Sequence, residues 1–204
     1  MLLISDIIRS QKDFRKKPMN CSKRRRSMFS IKKIRFFQPD MMFQTIYDIT
    51  PEVLLNQGIK AVLFDIDNTI APYDIAAPTN EMKAYFKSLE AAGLKMAFVS
   101  NNKRERVHIF NLDLGYFYVH NARKPFSNGV RACIRHLGIP KENIVCVGDQ
   151  IFTDCMAAHG AGLEFYMVAP VNKKESRFFR IKRFFERPFI KAFKERIRKG
   201  QKSE

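Results

Sequence analysis

No stretch of this 204-residue chain reaches 18 consecutive apolar residues, so no membrane-spanning helix is expected. The first residues also lack the long apolar run of a secretory signal. Four cysteines occur, Cys21, Cys133, Cys146 and Cys155, with no CxxC pair among them. That sets aside a zinc knuckle and a thioredoxin-like redox motif, and a reducing, cytoplasmic setting fits. Cys133 and Cys146 fall in apolar runs and read as small core residues. His108, His120, His136 and His159 show no i, i+4 metal spacing and read as ordinary histidines. A P-loop and a GxGxxG are both missing, so nucleotide-driven chemistry is not indicated. So is an RNP-type aromatic motif, which weighs against dedicated RNA recognition. No internal repeat is found.

Basic charge, by contrast, is abundant: 37 Lys/Arg against 20 Asp/Glu, a formal net charge of +17. Residues 1–38 hold 12 Lys/Arg and 2 Asp/Glu, a net +10, and residues 173–204 hold 13 and 4, a net +9. The middle, 39–172, holds 12 and 14, a net −2. The expected organisation is therefore a poorly ordered basic extension over 1–38, a catalytic domain over 39–172, and a basic amphipathic tail over 173–204. Basic ends attract anionic surfaces, whether lipid headgroups or nucleic acid; the plain alternative is solvated tails.

From Lys60 onward, short β-branched or aromatic runs alternate with helical periodicity. Strands are expected at 61–64, 96–99, 116–119, 144–147 and 165–168. Helices are expected over Asn80 to Ala92, capped by Thr79 or Asn80 and stopped by Gly93, and over Arg104 to Leu112. Two more are expected from a Ser127 cap to Leu137, ended by Gly138, and over Thr153 to Ala161, ended by Gly162. Five such alternations predict an α/β fold, a three-layer Rossmann-like parallel sheet with helices on both faces. In such sheets ligands gather at the carboxyl ends of the strands.

Polar chemistry stands at those ends. The first strand runs into Asp65-Ile66-Asp67-Asn68-Thr69, where i and i+2 carboxylates share a side of extended chain. One acid suits attack on phosphorus and the other proton transfer. The second strand ends in Ser100-Asn101-Asn102, whose hydroxyl and backbone amides suit phosphoryl oxygens. Lys124 follows the third, and Gly148-Asp149 with Asp154 follows the fourth. Taken singly, each has a plainer reading: a helix-entry turn, a surface lysine, a helix-starting acid that complements the dipole. Together they set acids, a hydroxyl and a lysine at four successive strand ends, an oxygen-rich set suited to Mg²⁺.

These segments, Asp65-x-Asp67-Asn-Thr, Ser100-Asn101, Lys124-Pro125 and Gly148-Asp149-x4-Asp154, resemble the four motifs of the haloacid dehalogenase (HAD) phosphatases, in that family's order. The resemblance covers about Asp48 to Pro170 and implies a Mg²⁺-dependent phosphomonoester hydrolase. In that reading Asp65 is the nucleophile and a metal ligand, and Asp67 is the general acid/base, lending its backbone carbonyl to the metal. Ser100, with Asn101 beside it, binds the phosphoryl group, and Lys124 stabilises its charge. Asp149 completes the metal site and Asp154 supports it. Only 34 residues separate Asp65 from Ser100 and 23 separate Ser100 from Lys124, too few for a cap domain, which resembles the capless subclass III members. The lead-in Ile46-Tyr47-Asp48-Ile49-Thr50-Pro51 and the fourth motif look closest to the YqeG family, itself similar to phosphatases acting on phosphatidylglycerophosphate. The expected partner is then a phosphorylated small molecule or a phospholipid headgroup. The rival reading is a HAD-fold binding or scaffold protein whose basic ends meet RNA or membrane.

In the tail, Phe178, Ile181, Phe185, Phe189, Phe193 and Ile197 trace one helical stripe among many Lys and Arg. Such a helix suits an anionic membrane interface, which would make the protein peripheral to the membrane, or packing onto the domain or a partner. Pro188 is expected to kink it, which leaves one bent helix or two shorter ones open.

Overall fold

The apolar runs pair side by side. In the computed structural model, which describes residues 36–172 and 177–201, the strands are β1 (Met41–Phe43), β2 (Ala61–Phe64), β3 (Lys95–Val99), β4 (Phe117–Val119), β5 (Ile144–Gly148) and β6 (Glu164–Val168). They form one sheet in the order β1-β6-β5-β2-β3-β4, and every pair is parallel. Five match the expected runs to within a residue. The sixth, β1, is three residues long, too short to show a period, and it gains its strand character by pairing Met41 with Tyr166 and Phe43 with Val168.

Helices α1 (Pro51–Asn56), α2 (Asn80–Ala91), α3 (Arg104–Asn111), α4 (Asn128–Leu137), α5 (Met156–Ala161) and α6 (Arg177–Gln201) connect or flank the strands. Local chemistry explains their ends. Thr79 caps α2 by accepting the Met82 N–H at 3.3 Å, and Thr50 caps α1 by accepting that of Val53 at 3.4 Å. Gly138 and Gly162 leave α4 and α5 in the left-handed region, at φ 63° and 82°. Ser127 precedes α4 as expected but makes no side-chain cap bond, because its backbone (φ −84°, ψ 2°) is already turned rather than extended. The helix expected over 153–161 begins instead as a π-helical turn, Ile151–Cys155, which leads into α5.

Alternation along each strand divides the core in two. Val62, Phe64, Met96, Phe98, Val145 and Val147 face one layer, where α2 supplies Met82, Tyr85, Phe86 and Leu89 and α3 supplies Val107 and Phe110. Leu63, Ala97, Val99, Cys146, Phe165 and Met167 face the other, against Val130 and Cys133 of α4 and Ala157 and Ala158 of α5. Cys133 and Cys146 are buried core residues, and burial pushes the Cys133 thiol up to about 12. Phe86 is fully buried, with its ring edge-on to Phe64 and Phe98 at 5.5 and 5.8 Å.

After β2 the chain winds to β3 and β4 on one side, then crosses to β5 and β6 on the other. The carboxyl ends of β2 and β5 flank that reversal, the position where open α/β sheets bind ligands.

Both basic flanks touch the domain where they are described. Residues 1–35, with Cys21 and the Lys23–Arg26 run, lie outside the described residues. Phe37 packs on Phe152 and Phe189, with ring centroids at 6.3 and 5.4 Å. Helix α6 is continuous through Pro188, one helix rather than two shorter ones. The carbonyl that Pro188 leaves without its helical N–H belongs to Phe184, and both residues are exposed, where water can serve it. Its stripe divides: Phe193 is buried and Phe189 half-buried against the domain, while Phe185 is exposed. The Phe178 and Ile181 side chains lie outside the described set. No helix among the described residues is long and apolar enough to cross a membrane.

His159 on α5 fastens the N-terminal flank. Its Nδ1 stands 2.8 Å from the Phe36 carbonyl and its Nε2 2.9 Å from Asp40 Oδ2. Both partners are acceptors, so only the doubly protonated ring satisfies both. Burial pulls the imidazole pKa down, but Asp40 and the Phe36 carbonyl outweigh it, and the net shift is upward from 6.5. A raised folded-state value means this stabilisation is complete below the ordinary histidine pKa and fades as pH rises through the folded one. His159→Ala should therefore cost about 1–3 kcal/mol at pH 6 and clearly less at pH 9. Urea titrations of both proteins at the two pH values check this, and an equal penalty at both would exclude the charged ring.

Candidate active site

Asp65 follows the last residue of β2, and its N–H continues the ladder to the Val147 carbonyl at 2.9 Å. Asp149 follows β5, the neighbouring strand. Parallel register thus places two carboxylates side by side from residues 84 apart in sequence. Asp154 joins them from the π-helical turn, and one carboxylate oxygen from each of the three lies within 4.8 Å of the others.

Lys124 enters from the loop after β4. Its ammonium sits 2.7 Å from Asp65 Oδ1 and 2.6 Å from Asp154 Oδ1, and donates to the Val99 carbonyl at 2.9 Å. Its three protons are thereby matched to three acceptors, and the side chain is 5% exposed. Burial alone would lower its pKa; Asp154 and Asp65 more than reverse that and raise it. For Asp65, burial is the largest influence and pushes the carboxyl up, Lys124 opposes it, Asp154 and Asp149 add to it, and the result is about 8. One ammonium does not balance three clustered acids.

The supporting bonds come from the motif neighbours. Asn101 donates to the Lys124 carbonyl at 3.0 Å and accepts the Lys124 N–H at 2.7 Å, so its side chain holds the lysine's backbone. Ser100 is buried, and its Oγ accepts the Asn102 N–H at 3.0 Å. The Thr69 hydroxyl lies 3.3 Å from Asp149 Oδ1 and 3.5 Å from Asp65 Oδ2. Asn68 takes the left-handed conformation (φ 65°) that turns the chain just past Asp67, a shape Asn tolerates better than most residues. Its Oδ1 accepts the Asn172 N–H at 2.7 Å, tying this turn to the segment after β6.

Asp67 stands apart from the three clustered acids. Arg106 of α3 reaches its Oδ1 through Nε at 3.1 Å and Nη2 at 3.0 Å, and Asn102 donates to its Oδ2 at 3.1 Å. Arg106 also donates to the Ala76 carbonyl at 3.0 Å and lies over the Phe110 ring. Sequence reading missed Arg106 altogether, since an arginine in a helix's first turn carries no mark of a partner 39 residues back. Gln150 and Thr153 fall among the four unspecified positions of the fourth motif, and Tyr73 carries no local mark of its own. With Asp65, Asp67, Ser100, Asn101, Asn102, Lys124 and Asp154, these three line an open cavity of about 460 Å³. Tyr73 is half-exposed at its rim. Every expected site residue except Asp149 lines that cavity. Asp149 is fully buried and belongs to the acid cluster beneath it.

A sequence profile described as haloacid dehalogenase-like hydrolase matches residues 70–162, a span that holds Ser100, Lys124, Asp149 and Asp154 and begins beyond Asp65 and Asp67. The chain is 33% identical over 166 residues to "Probable phosphatase YqeG" of Bacillus subtilis (strain 168), covering 81% of this chain and 95% of that protein. It is 26% identical over 182 residues to "Phosphatidylglycerophosphate phosphatase 1, chloroplastic/mitochondrial" of Arabidopsis thaliana. There it covers 84% of this chain and spans about half, 51%, of that protein. Among solved structures, CbbY from Rhodobacter sphaeroides in complex with phosphate aligns at 17% identity and a TM-score of 0.45, over 58% of this chain and 90% of that one.

Gly148 admits Asp154 to the cluster. A Cβ at this position would meet Asp154 Cβ at 2.6 Å and Cγ at 2.7 Å. Gly148→Ala should therefore push the carboxylate off Lys124, lowering kcat about 100-fold with a stability loss of about 1–3 kcal/mol. Gly160→Ala is the control, because its Cβ meets only Ser127 at an ordinary 3.5 Å. Steady-state kinetics and melting of the two variants check this; equal activities would show that the close approach is not needed.

Proposed function

The chain belongs to the YqeG-type phosphatases of the haloacid dehalogenase superfamily, and on that premise we propose that it is a Mg²⁺-dependent phosphomonoesterase working through an aspartyl-phosphate on Asp65. The observation that carries the reading is the Lys124 ammonium shared by Asp65 and Asp154 at the floor of an open cavity that Asp67 also lines. In this reading an Asp65 carboxylate oxygen bonds to phosphorus as the bond to the leaving oxygen breaks. Asp67 gives that oxygen its proton, then takes one from the water that attacks phosphorus and releases Asp65. Lys124 spreads the charge of the phosphoryl oxygens, and Ser100 with the Asn101 backbone holds them. Asn102 and Arg106 keep the Asp67 carboxylate at the cavity wall.

The residues present fit a divalent cation. Three carboxylates crowd one another with a single ammonium to offset them, and their donors are all oxygen. Asp65, Asp149 and the Asp67 carbonyl would hold the ion, with Asp154 in support. Bound there, it would bring Asp65 to its ionised form and draw charge off the phosphoryl group. Asp65→Asn should remove at least nine-tenths of turnover while leaving the fold intact, because an amide is a poor nucleophile. Chelation should abolish wild-type activity and Mg²⁺ restore it. A more active Asp65→Asn protein, or full activity after exhaustive chelation, would sink the mechanism.

The proposed substrate is phosphatidylglycerophosphate, supported by the likeness to the Arabidopsis enzyme and by a site over which no cap domain lies among the described residues, so that a bulky ester can enter. Residues 39–172 are taken as the catalytic unit. The proposed partner is an anionic membrane surface, met by the outer face of α6. Phe184 and Phe185 are 63% and 59% exposed there, and Arg187, Lys191, Lys194 and Arg198 on the same helix are also exposed. Deleting the whole tail would also strip Phe193 from the core, so point substitutions are the cleaner test. With Phe184→Ala and Phe185→Ala combined, sedimentation on anionic vesicles and hydrolysis of vesicle-borne substrate should fall several-fold, with a small soluble ester hydrolysed as before. Unchanged sedimentation would rule the membrane contact out.

A further inference from the structure

Glu186 lies on the most basic of the described helices and yet is fully buried. A buried carboxylate is unfavourable by several kcal/mol unless donors surround it. Its donors are backbone groups of the active-site loop: Oε1 accepts the N–H of Ile151 at 2.8 Å and of Phe152 at 3.1 Å. These are the first two residues of the π-helical turn that runs on into α5, a helix start whose amides have no partners within the helix. The residue in the N-cap position, Gln150, makes no side-chain cap bond. The carboxylate therefore comes from 35 residues away, and its charge suits the positive end of the helix.

The capped segment separates two of the clustered acids. Gln150, Ile151 and Phe152 follow Asp149 and precede Asp154. The Gln150 N–H bonds to Asp154 Oδ2 at 3.1 Å, and the next two N–H groups bond to Glu186. Three successive amides are thus held by two carboxylates, one of them from the cluster. Neighbouring contacts keep Glu186 in place. Phe189 stands edge-on to Phe152 with centroids 5.8 Å apart, and Arg196 donates to Gln38 Oε1 at 3.2 Å.

We propose that Glu186 is a positioning residue for the cation site, and that α6 is accordingly part of the active-site framework. The carboxylate sets the path between Asp149 and Asp154, and so the separation of the two acids. The assignment rests on the cation reading made above. It touches neither the substrate nor the reacting atoms, so it should govern affinity for the ion and leave the KM for a small ester unchanged.

The test uses the full chain, with p-nitrophenyl phosphate as the ester and Mg²⁺ alone as the ligand. Two quantities are read: the Mg²⁺ concentration giving half-maximal rate, and the rise in melting temperature that saturating Mg²⁺ produces. Glu186→Ala should raise the half-activation concentration 10- to 100-fold, the range for groups that orient metal ligands, and shrink the melting shift. Glu186→Gln keeps an acceptor oxygen at the same reach and should stay within a few-fold of wild type. Glu186→Asp keeps the charge but withdraws it by one methylene and should behave like the alanine variant. Should the alanine variant fail to fold, the Gln and Asp pair still decides. Gln near wild type with Asp impaired supports positioning, and the reverse order, or no change in either, overturns it. Wild-type protein that shows neither Mg²⁺ activation nor a Mg²⁺ melting shift overturns the cation reading itself, and this assignment with it.

Discussion

The Lys124 ammonium, buried between Asp65 and Asp154, organises the active end of the sheet. Each of these groups would be strongly unfavourable in the interior alone, and their attraction offsets that only with good geometry and satisfied protons. The fold supplies both. The Val99 carbonyl takes the third proton, Asn101 clasps the lysine's backbone from both sides, and Gly148 leaves room for Asp154. The balance is deliberately incomplete in chemical terms: one positive charge stands among three acids, and the Asp65 pKa rises to about 8. A site left short of positive charge favours a cation.

That arrangement depends on parallel register. Asp65 and Asp149 meet because β2 and β5 are neighbours in parallel register, with Phe64 beside Val147, and each strand runs directly into its aspartate. Neighbouring parallel strands end at one edge of the sheet, so residues far apart in sequence converge without individual contacts to steer them. The two-faced core explains why the strands are apolar beyond the Lys95 and Glu164 that open β3 and β6, while the loops just past them are polar. Among the described residues no separate domain covers the cavity: between Asp65 and Ser100 lie a turn, α2 and β3, and between Ser100 and Lys124 lie α3 and β4. Tyr73 is the largest side chain at the open rim, half in solvent.

Helix α6 has two unlike faces. Its inner side carries Glu186, Phe189 and Phe193 into the domain, and its outer side leaves Phe184, Phe185 and several cations in solvent. The stripe of apolar residues at helical spacing is thus not one surface. Its middle packs on Phe37 and Phe152, and Phe185 does not. The basic N-terminal flank likewise meets the core at Phe36 to Gln38, through His159 and Arg196.

Periodicity, capping residues and the polar segments after each strand were determined by the sequence alone, because they are local: a period of two, a Thr before a helix or a Gly after it acts within a few residues. Those marks sufficed for the alternating α/β order and for five of the six strands, and they put Asp65, Asp67, Ser100, Lys124, Asp149 and Asp154 in the polar segments that follow the strands. Only the tertiary structure decided which groups pair. Arg106 with Asp67, Glu186 with the amides of Ile151 and Phe152, and His159 with Asp40 join residues 39, 35 and 119 apart. Closing such loops leaves no trace in local composition, since any acid and any base of suitable reach would read the same. The strand β1 and the uninterrupted course of α6 through Pro188 were hidden for the same reason. Each depends on what lies beside the chain in space, whether a neighbouring strand to complete the ladder or solvent to take a carbonyl's bond.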